Sequence, residues 1–190
     1  RPIAPISLLL KHETLPMTDW IATRAEGEKI MAAFAPRMGR RYANGRNTDL
    51  GAGAHQAVSL LSPYVARRLV LESDLVAMAL ANHGSEHAEK FIQEVIWRGY
   101  FKGWLERRPQ VWDSYCTGLA ADLAALERDR RLRRDVDRAM NGQTGLDCFD
   151  AWAAELLETG YLHNHARMWF ASIWIFTLGL PWRLGADFFY

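Results

Sequence analysis

From about residue 62 onward the apolar positions recur with the period of a helix, and nowhere do apolar and polar residues alternate long enough to build a sheet. The pattern predicts an all-α chain. Ser62 followed by Pro63 has the form of an N-cap with proline at the first helical position, and Ser73 and Ser85 are further capping candidates. Three helices are therefore expected in quick succession. The third is expected over 86–107, with Phe91, Val95, Ile96, Phe101, Trp104 and Leu105 at helical spacing and Pro109 closing it. Gly99 and Gly103 lie inside that pattern, where each costs about 1 kcal/mol against alanine, which suggests close approach by another helix or a ligand.

Between 122 and 138 the charges Glu127-Arg128-Asp129-Arg130-Arg131 and Arg133-Arg134-Asp135 surround Leu123, Leu126, Leu132 and Val136. Acids interleave with bases, so a solvated helix face is expected there rather than a nucleic-acid stripe. A loop at 141–145 leads to a helix holding Phe149, Trp152, Ala153, Leu156 and Leu157. Gly160 ends it, and a last helix is expected over 161–176. Residues 19–34 read as a helix, and Gly39, Asn44-Gly45, Asn47, Gly51 and Gly53 make the stretch after it loop-like. No internal repeat is visible.

Length and composition narrow the class further. The 190 residues are 49% apolar and 24% charged, as in an ordinary globular domain, which excludes a disordered, collagenous or disulfide-scaffold protein. Lys+Arg 23 against Asp+Glu 22 leaves +1, so the chain is no polycation and any basic surface must be local. Cys116 and Cys148 form no CxxC and are expected to be reduced, inert thiols. Eight tryptophans exceed what a small core needs for filling. The opening Arg1-Pro2-Ile3-Ala4-Pro5-Ile6 has neither an initiator methionine nor a signal-peptide pattern, which suggests a piece of a longer protein. The longest uncharged run, 168–182, contains Gly179 and Pro181 and falls short of the roughly 20 apolar residues that span a bilayer. A soluble, cytoplasmic protein with no membrane partner is expected.

Several tempting metal or catalytic patterns fail on geometry. His163 and His165 are two apart, so on a helix they face different sides and cannot share an ion. His83 and His87 have the spacing of a helical zinc pair, but Gly84-Ser85 breaks the helix that would align them, and both are expected at the surface. No metal is expected. No Walker loop, GxSxG elbow or GxGxxG follows a predicted strand. More informative are Glu94, Trp97 and Arg98, which share one helical face. They form either a polar recognition site beside a stacking surface or an intrahelical Glu94–Arg98 ion pair with a core tryptophan. The last helix places Asn164, Arg167, Met168 and Ala171 on one face, and Ser59 and Ser62 just ahead of a helix N-terminus would suit a phosphate. Together these outline a helical pocket with anion donors at one end and aromatics at the other.

The same residues resemble the helical FAD-binding domain of DNA photolyases and cryptochromes. Thr144-Gly145, Asp150-Ala151 and Thr159-Gly160-Tyr161-Leu162-His163-Asn164 with Arg167-Met168 are similar to that family's TG…DA…TG[WY]xHNxxRM signature. Phe91 to Arg98 resembles its ElxWR helix, Ser59-Leu60-Leu61-Ser62-Pro63-Tyr64 its SxLSPYL phosphate loop, and Tyr42 with Arg46-Asn47 its YxxxRN element. Pro181-Trp182-Arg183 with Phe188-Phe189 resembles the following DWRxGxxxF element. The resemblance covers 42–190 in the right order, which implies a helical FAD-binding domain over 42–190 preceded by a partly helical connecting segment over 1–41.

It implies FAD as cofactor, with Tyr42, Ser59, Leu61 and Ser62 around its diphosphate, Arg98 along its phosphate side, and Asn164 and Arg167 near the isoalloxazine and adenine. Glu94 would hydrogen-bond the flipped bases of damaged DNA, with Trp97, Tyr161 and Met168 as the walls on which the lesion stacks. Asn164 and Met168 resemble the cyclobutane-dimer repair enzymes, whose chemistry is light-driven electron transfer from reduced flavin to the dimer and back. Trp182 resembles the middle tryptophan of the family's photoreduction chain, and Trp112 is a candidate for the outer one. The resemblance thus implies a deoxyribodipyrimidine photo-lyase, with Glu94, Asn164, Met168 and Trp182 serving catalysis. Val58 and Leu60 depart from the family's Thr and Arg, and His165 stands where an Arg would meet DNA phosphate, which weakens the expected DNA contact. The chain shows no antenna domain ahead of the helices and ends before the Asp-rich loop that would contact the flavin ring, so the domain is expected to be incomplete at its C-terminal end. A light-sensing cryptochrome without repair activity, or a helical domain that has lost its flavin, are the alternatives.

Overall fold

The computed structural model describes residues 20–190, which are helical with no strand among them. The part of the expected 1–41 segment and 19–34 helix that falls on residues 1–19 lies outside the described residues. The chain divides into two compact units between Arg107 and Arg108, inside the 42–190 stretch.

In the unit that ends at Arg107, α1 (Arg24–Phe34) begins where Thr23 Oγ1 accepts the Glu26 N–H at 3.2 Å. It sends Met31 and Phe34 into a core shared with Met38, Tyr64, Leu75 and Phe91. A 3-10 turn (Ala35–Arg37) leads to α2 (Arg40–Gly45), a helix where the sequence pattern predicts a loop. Tertiary contact overrides the asparagine and glycine there, because Tyr42 on α2 packs edge-on against Phe91 with centroids 5.1 Å apart. His83 is not the surface residue expected: it is half-buried, and Nε2 lies 2.8 Å from the Ala35 carbonyl oxygen. A Cβ on Gly39 would come within 2.7 Å of the His83 ring, so the close approach requires glycine.

The three helices expected after residue 62 are present, with different caps. In α3 (Ser62–Ala66) Ser62 is the first helical residue, not the cap, and Leu61 occupies the cap position. α4 (Glu72–Glu106) is closed at its start by Asp74, whose Oδ2 accepts the Leu71 N–H at 3.3 Å, so the expected Ser73 cap is not used. It bends at Gly84, whose φ of 68° only glycine adopts readily, and this separates the arms 72–83 and 85–106. Only the first part of the second arm's apolar stripe is covered. Phe91 is buried, whereas Ile96, Phe101 and Leu105 are exposed. Nothing among the described residues lies within 4 Å of a Cβ added at Gly99 or Gly103, so no other helix makes the close approach expected there; both glycines border an open groove between the two arms.

In the unit from Arg108 to Tyr190, Pro109 sits at the start of α5 (Pro109–Arg128). The charged run splits at Asp129, whose Oδ1 accepts the N–H groups of Arg131 and Leu132 at 2.9 and 3.0 Å and so starts α6 (Arg130–Met140). α7 (Asp147–Thr159) ends as expected at Gly160, which is left-handed with φ 66°. The last helix starts three residues later than expected, as α8 (Asn164–Ser172), because His163 caps it with Nδ1 accepting the His165 N–H at 3.2 Å. A π turn (Ile173–Thr177) and α9 (Trp182–Phe188) follow. The core of this unit stacks Phe149 on Phe170 at 4.1 Å and buries Trp174, whose Nε1 donates to the Pro181 carbonyl at 3.0 Å. Cys116 and Cys148 are free thiols. No helix among the described residues is long and apolar enough to cross a membrane.

Candidate functional site

Six of the predicted site residues line one cavity of about 190 Å³ in the first unit: Tyr42 from α2, Ser59 and Leu61 from the loop into α3, Ser62 from the first position of α3, and Glu94 and Arg98 from α4. Phe91, Val65 and Leu75 supply its apolar wall. The loop is held in shape by the Leu61 N–H donating to Ser59 Oγ at 3.3 Å, and by Leu60, whose φ of 56° is left-handed. A leucine there stores about 1–3 kcal/mol of strain, which the burial of Leu61 next to it helps hold in place. Because α3 is only five residues long, its dipole is short, and the anion-binding chemistry falls on the two serine hydroxyls and the Arg98 guanidinium.

The intrahelical Glu94–Arg98 pair does not form. Glu94 Oε1 accepts from Arg46 Nη1, in an ion pair with a residue that does not line the cavity. Arg98 instead faces Glu72 across the Gly84 bend, with Nε 3.8 Å from Oε1, outside hydrogen-bond reach. That Nε is buried with no hydrogen-bond partner among the described residues. Trp97 is no core tryptophan either: it is 53% exposed, rests edge-on against Tyr100, and does not line the cavity.

The remaining predicted residues lie in the second unit, around the turn between α7 and α8. Thr159 Oγ1 lies 2.7 and 3.0 Å from the Glu155 and Tyr161 carbonyl oxygens, which share its one proton, and accepts the Tyr161 N–H at 3.1 Å. Arg167 Nε donates to the Leu162 carbonyl at 2.8 Å, and its guanidinium lies 5.9 Å from the centroids of both Tyr161 and Phe189. Asn164 is exposed at the first turn of α8, and Met168 is exposed one turn on. A hydrogen-bonded turn joining two helices explains much of the Thr159–Arg167 motif. Trp182 is half-exposed under Arg183, and Tyr115 stands between it and Trp112 with centroid separations of 5.9 and 5.4 Å.

Residues 91–190 match the model of the family described as the FAD binding domain of DNA photolyase. The chain belongs to that family. FAD is the cofactor of this domain. Over 167 residues the chain is 31% identical to a deoxyribodipyrimidine photo-lyase of Streptomyces griseus, covering 86% of this chain and 33% of that one. It is 30% identical over 135 residues to a chloroplastic/mitochondrial cryptochrome DASH of Ostreococcus tauri, covering 68% and 24%. The chain thus spans about a third of the length of the curated photo-lyase. The crystal structure of a bacterial class III photolyase from Agrobacterium tumefaciens has the same fold, with a TM-score of 0.71 at 23% identity over 90% of this chain and 34% of that one.

The cavity fits part of such a dinucleotide. Its 190 Å³ is below the roughly 300 Å³ at which small-molecule pockets begin, so it suits a segment of the cofactor rather than the whole. An unsatisfied guanidinium nitrogen beside two serine hydroxyls is the donor set a phosphate takes up. Sequence reasoning did not find Glu72 as the residue facing Arg98 or Arg46 as the partner of Glu94. Neither pair has a periodic spacing; the first meets only through the Gly84 bend, the second only through the docking of α2 on α4.

Proposed function

We propose that the intact protein repairs cyclobutane pyrimidine dimers in DNA with light, using FAD. The observation that carries this reading is the convergence of Tyr42, Ser59, Ser62, Glu94 and Arg98 on one cavity in a chain of the photolyase FAD-domain family. When bound, FAD supplies light-driven one-electron chemistry. The protein's part is to bind and orient: Ser59, Ser62 and Arg98 hold the phosphates, Tyr42 and the Leu61 backbone border them, and Asn164 and Arg167 serve the rings. Glu94, fixed by Arg46, accepts a hydrogen bond from the flipped bases, and Trp97, Tyr161 and Met168 offer the faces they stack on. Trp182, half-exposed, serves electron supply.

Replacing Glu94 with alanine in the full-length protein is expected to leave FAD bound and slow dimer repair severalfold, since one polar contact to the base edge is lost. Repair assayed under blue light on dimer-containing oligonucleotides checks this, and an unchanged rate removes Glu94 from the lesion site. Light sensing without repair is the second reading. It is favoured by a phosphate loop that has lost a hydroxyl and a charge at Val58 and Leu60, by His165 in place of a DNA-contacting Arg, and by the likeness to a cryptochrome DASH. Bound flavin with no repair of any dimer substrate would select it.

A further inference from the structure

The charged run on α6 is not the balanced face its sequence pattern predicts. The helix carries five arginines and no lysine. Arg130, Arg133, Arg134 and Arg138 fall at helical spacing on one side, and together with Asp137, Asn141 and Gln143 they line a surface groove of about 350 Å³. The acids are mostly engaged elsewhere. Asp129 is committed to capping the helix, and Asp135, which does not itself line the groove, pairs with Arg131 and with the groove's own Arg134. Four lining arginines against Asp137 and the Asp135 paired with Arg134 leave the groove a formal +2, on a chain whose total is only +1.

From this geometry we propose that the α6 groove binds the phosphate backbone of nucleic acid, independently of sequence, at residues that belong to neither the candidate flavin cavity nor the candidate lesion residues. Arg130 to Arg138 spans about 12 Å at 1.5 Å per residue, the length of three to four phosphate steps of about 3.4 Å along one strand of a duplex. Guanidinium forks match phosphate oxygens in pairs, which an ammonium does not. A membrane surface fits less well, because the apolar side of α6 is spent on the core through Val136, Ala139 and Met140 and has nothing to insert among lipids. Arg133 and Arg138 are braced for the task, donating through Nε to the Leu126 and Gln143 carbonyls at 3.5 and 3.1 Å while their charge stays in the groove.

The test is fluorescence anisotropy of a labelled, undamaged 20-base-pair duplex in the dark, titrated with the full chain between about 50 and 200 mM salt. Neither flavin nor lesion enters, so the result is independent of the repair reading. The expected binding is weak and steeply salt-dependent. The double variant Arg130→Ala/Arg134→Ala should bind at least tenfold more weakly at the lowest salt and lose about 2 from the slope of log K against log salt, at about 0.9 per phosphate contact. Asp137→Asn, which removes the one acid lining the groove, should tighten binding severalfold. Wild-type affinity retained by the double variant, an unchanged affinity in Asp137→Asn, or binding to phosphatidylglycerol vesicles without binding to the duplex would each overturn the proposal.

Discussion

Replacing Asp150 with alanine is expected to destabilise the protein by about 2–4 kcal/mol, because one carboxylate holds together the turn that starts α7. Asp150 Oδ1 accepts the Thr144 N–H at 2.9 Å and the Thr144 hydroxyl at 2.6 Å, and Oδ2 accepts the Gly145 N–H at 2.9 Å. Alanine leaves all three donors without that acceptor, beside the buried Phe149. The effect also has a pH signature. Burial alone would raise the Asp150 pKa, but the Thr144 hydroxyl, the Thr144 and Gly145 N–H groups and the charge of Arg138 outweigh it and hold the carboxyl below its ordinary value. A lowered folded pKa contributes stability that is fully present above the unfolded value of about 3.9 and is lost as the pH falls through the folded one. Denaturant unfolding of wild type and variant should therefore differ most near neutrality and converge in acid; a constant gap across that range would deny Asp150 this role.

Arg98→Ala is expected to weaken FAD binding by about 10- to 100-fold, the worth of one or two charge-assisted hydrogen bonds at 1.4 kcal/mol per tenfold. The reason is the buried Nε, which has no hydrogen-bond partner among the described residues and lies 3.8 Å from the nearest carboxylate oxygen of Glu72. A phosphate oxygen would satisfy it. Because the free protein carries that unsatisfied nitrogen as a cost, the variant should unfold at nearly the same denaturant concentration without FAD while losing affinity for it. Equal flavin affinity in the two proteins, measured by flavin fluorescence, would take Arg98 out of the cofactor site.

The parts of the account legible in the sequence are those fixed by local chemistry. Gly84 and Gly160 break the chain where only a left-handed residue fits, and the order of elements after residue 62 follows the helical period. Ser59 and Ser62 are legible as anion donors from local chemistry and Arg98 only through the family resemblance, and the cavity joins all three. What was not legible depends on distant packing. α2 is helical because Tyr42 docks on Phe91, against the local preference of Asn44-Gly45. His83 is drawn inward by a carbonyl 48 residues away, and Arg46 reaches Glu94 over the same separation. The caps were misassigned where an acid outcompetes a nearby serine, as Asp74 does at the start of α4. On α6 the linear pattern mixes signs evenly, whereas in the folded helix four of its arginines line one groove with only Asp137 among the acids lining it.

The central claim, a helical FAD domain whose cofactor is held at the Ser59–Ser62–Arg98 cavity, is tested most directly by the visible absorption spectrum of the purified protein after incubation with FAD and gel filtration. The account predicts flavin bands that travel with the protein and are largely lost from the Arg98→Ala variant. A colourless protein peak for the wild type would contradict it.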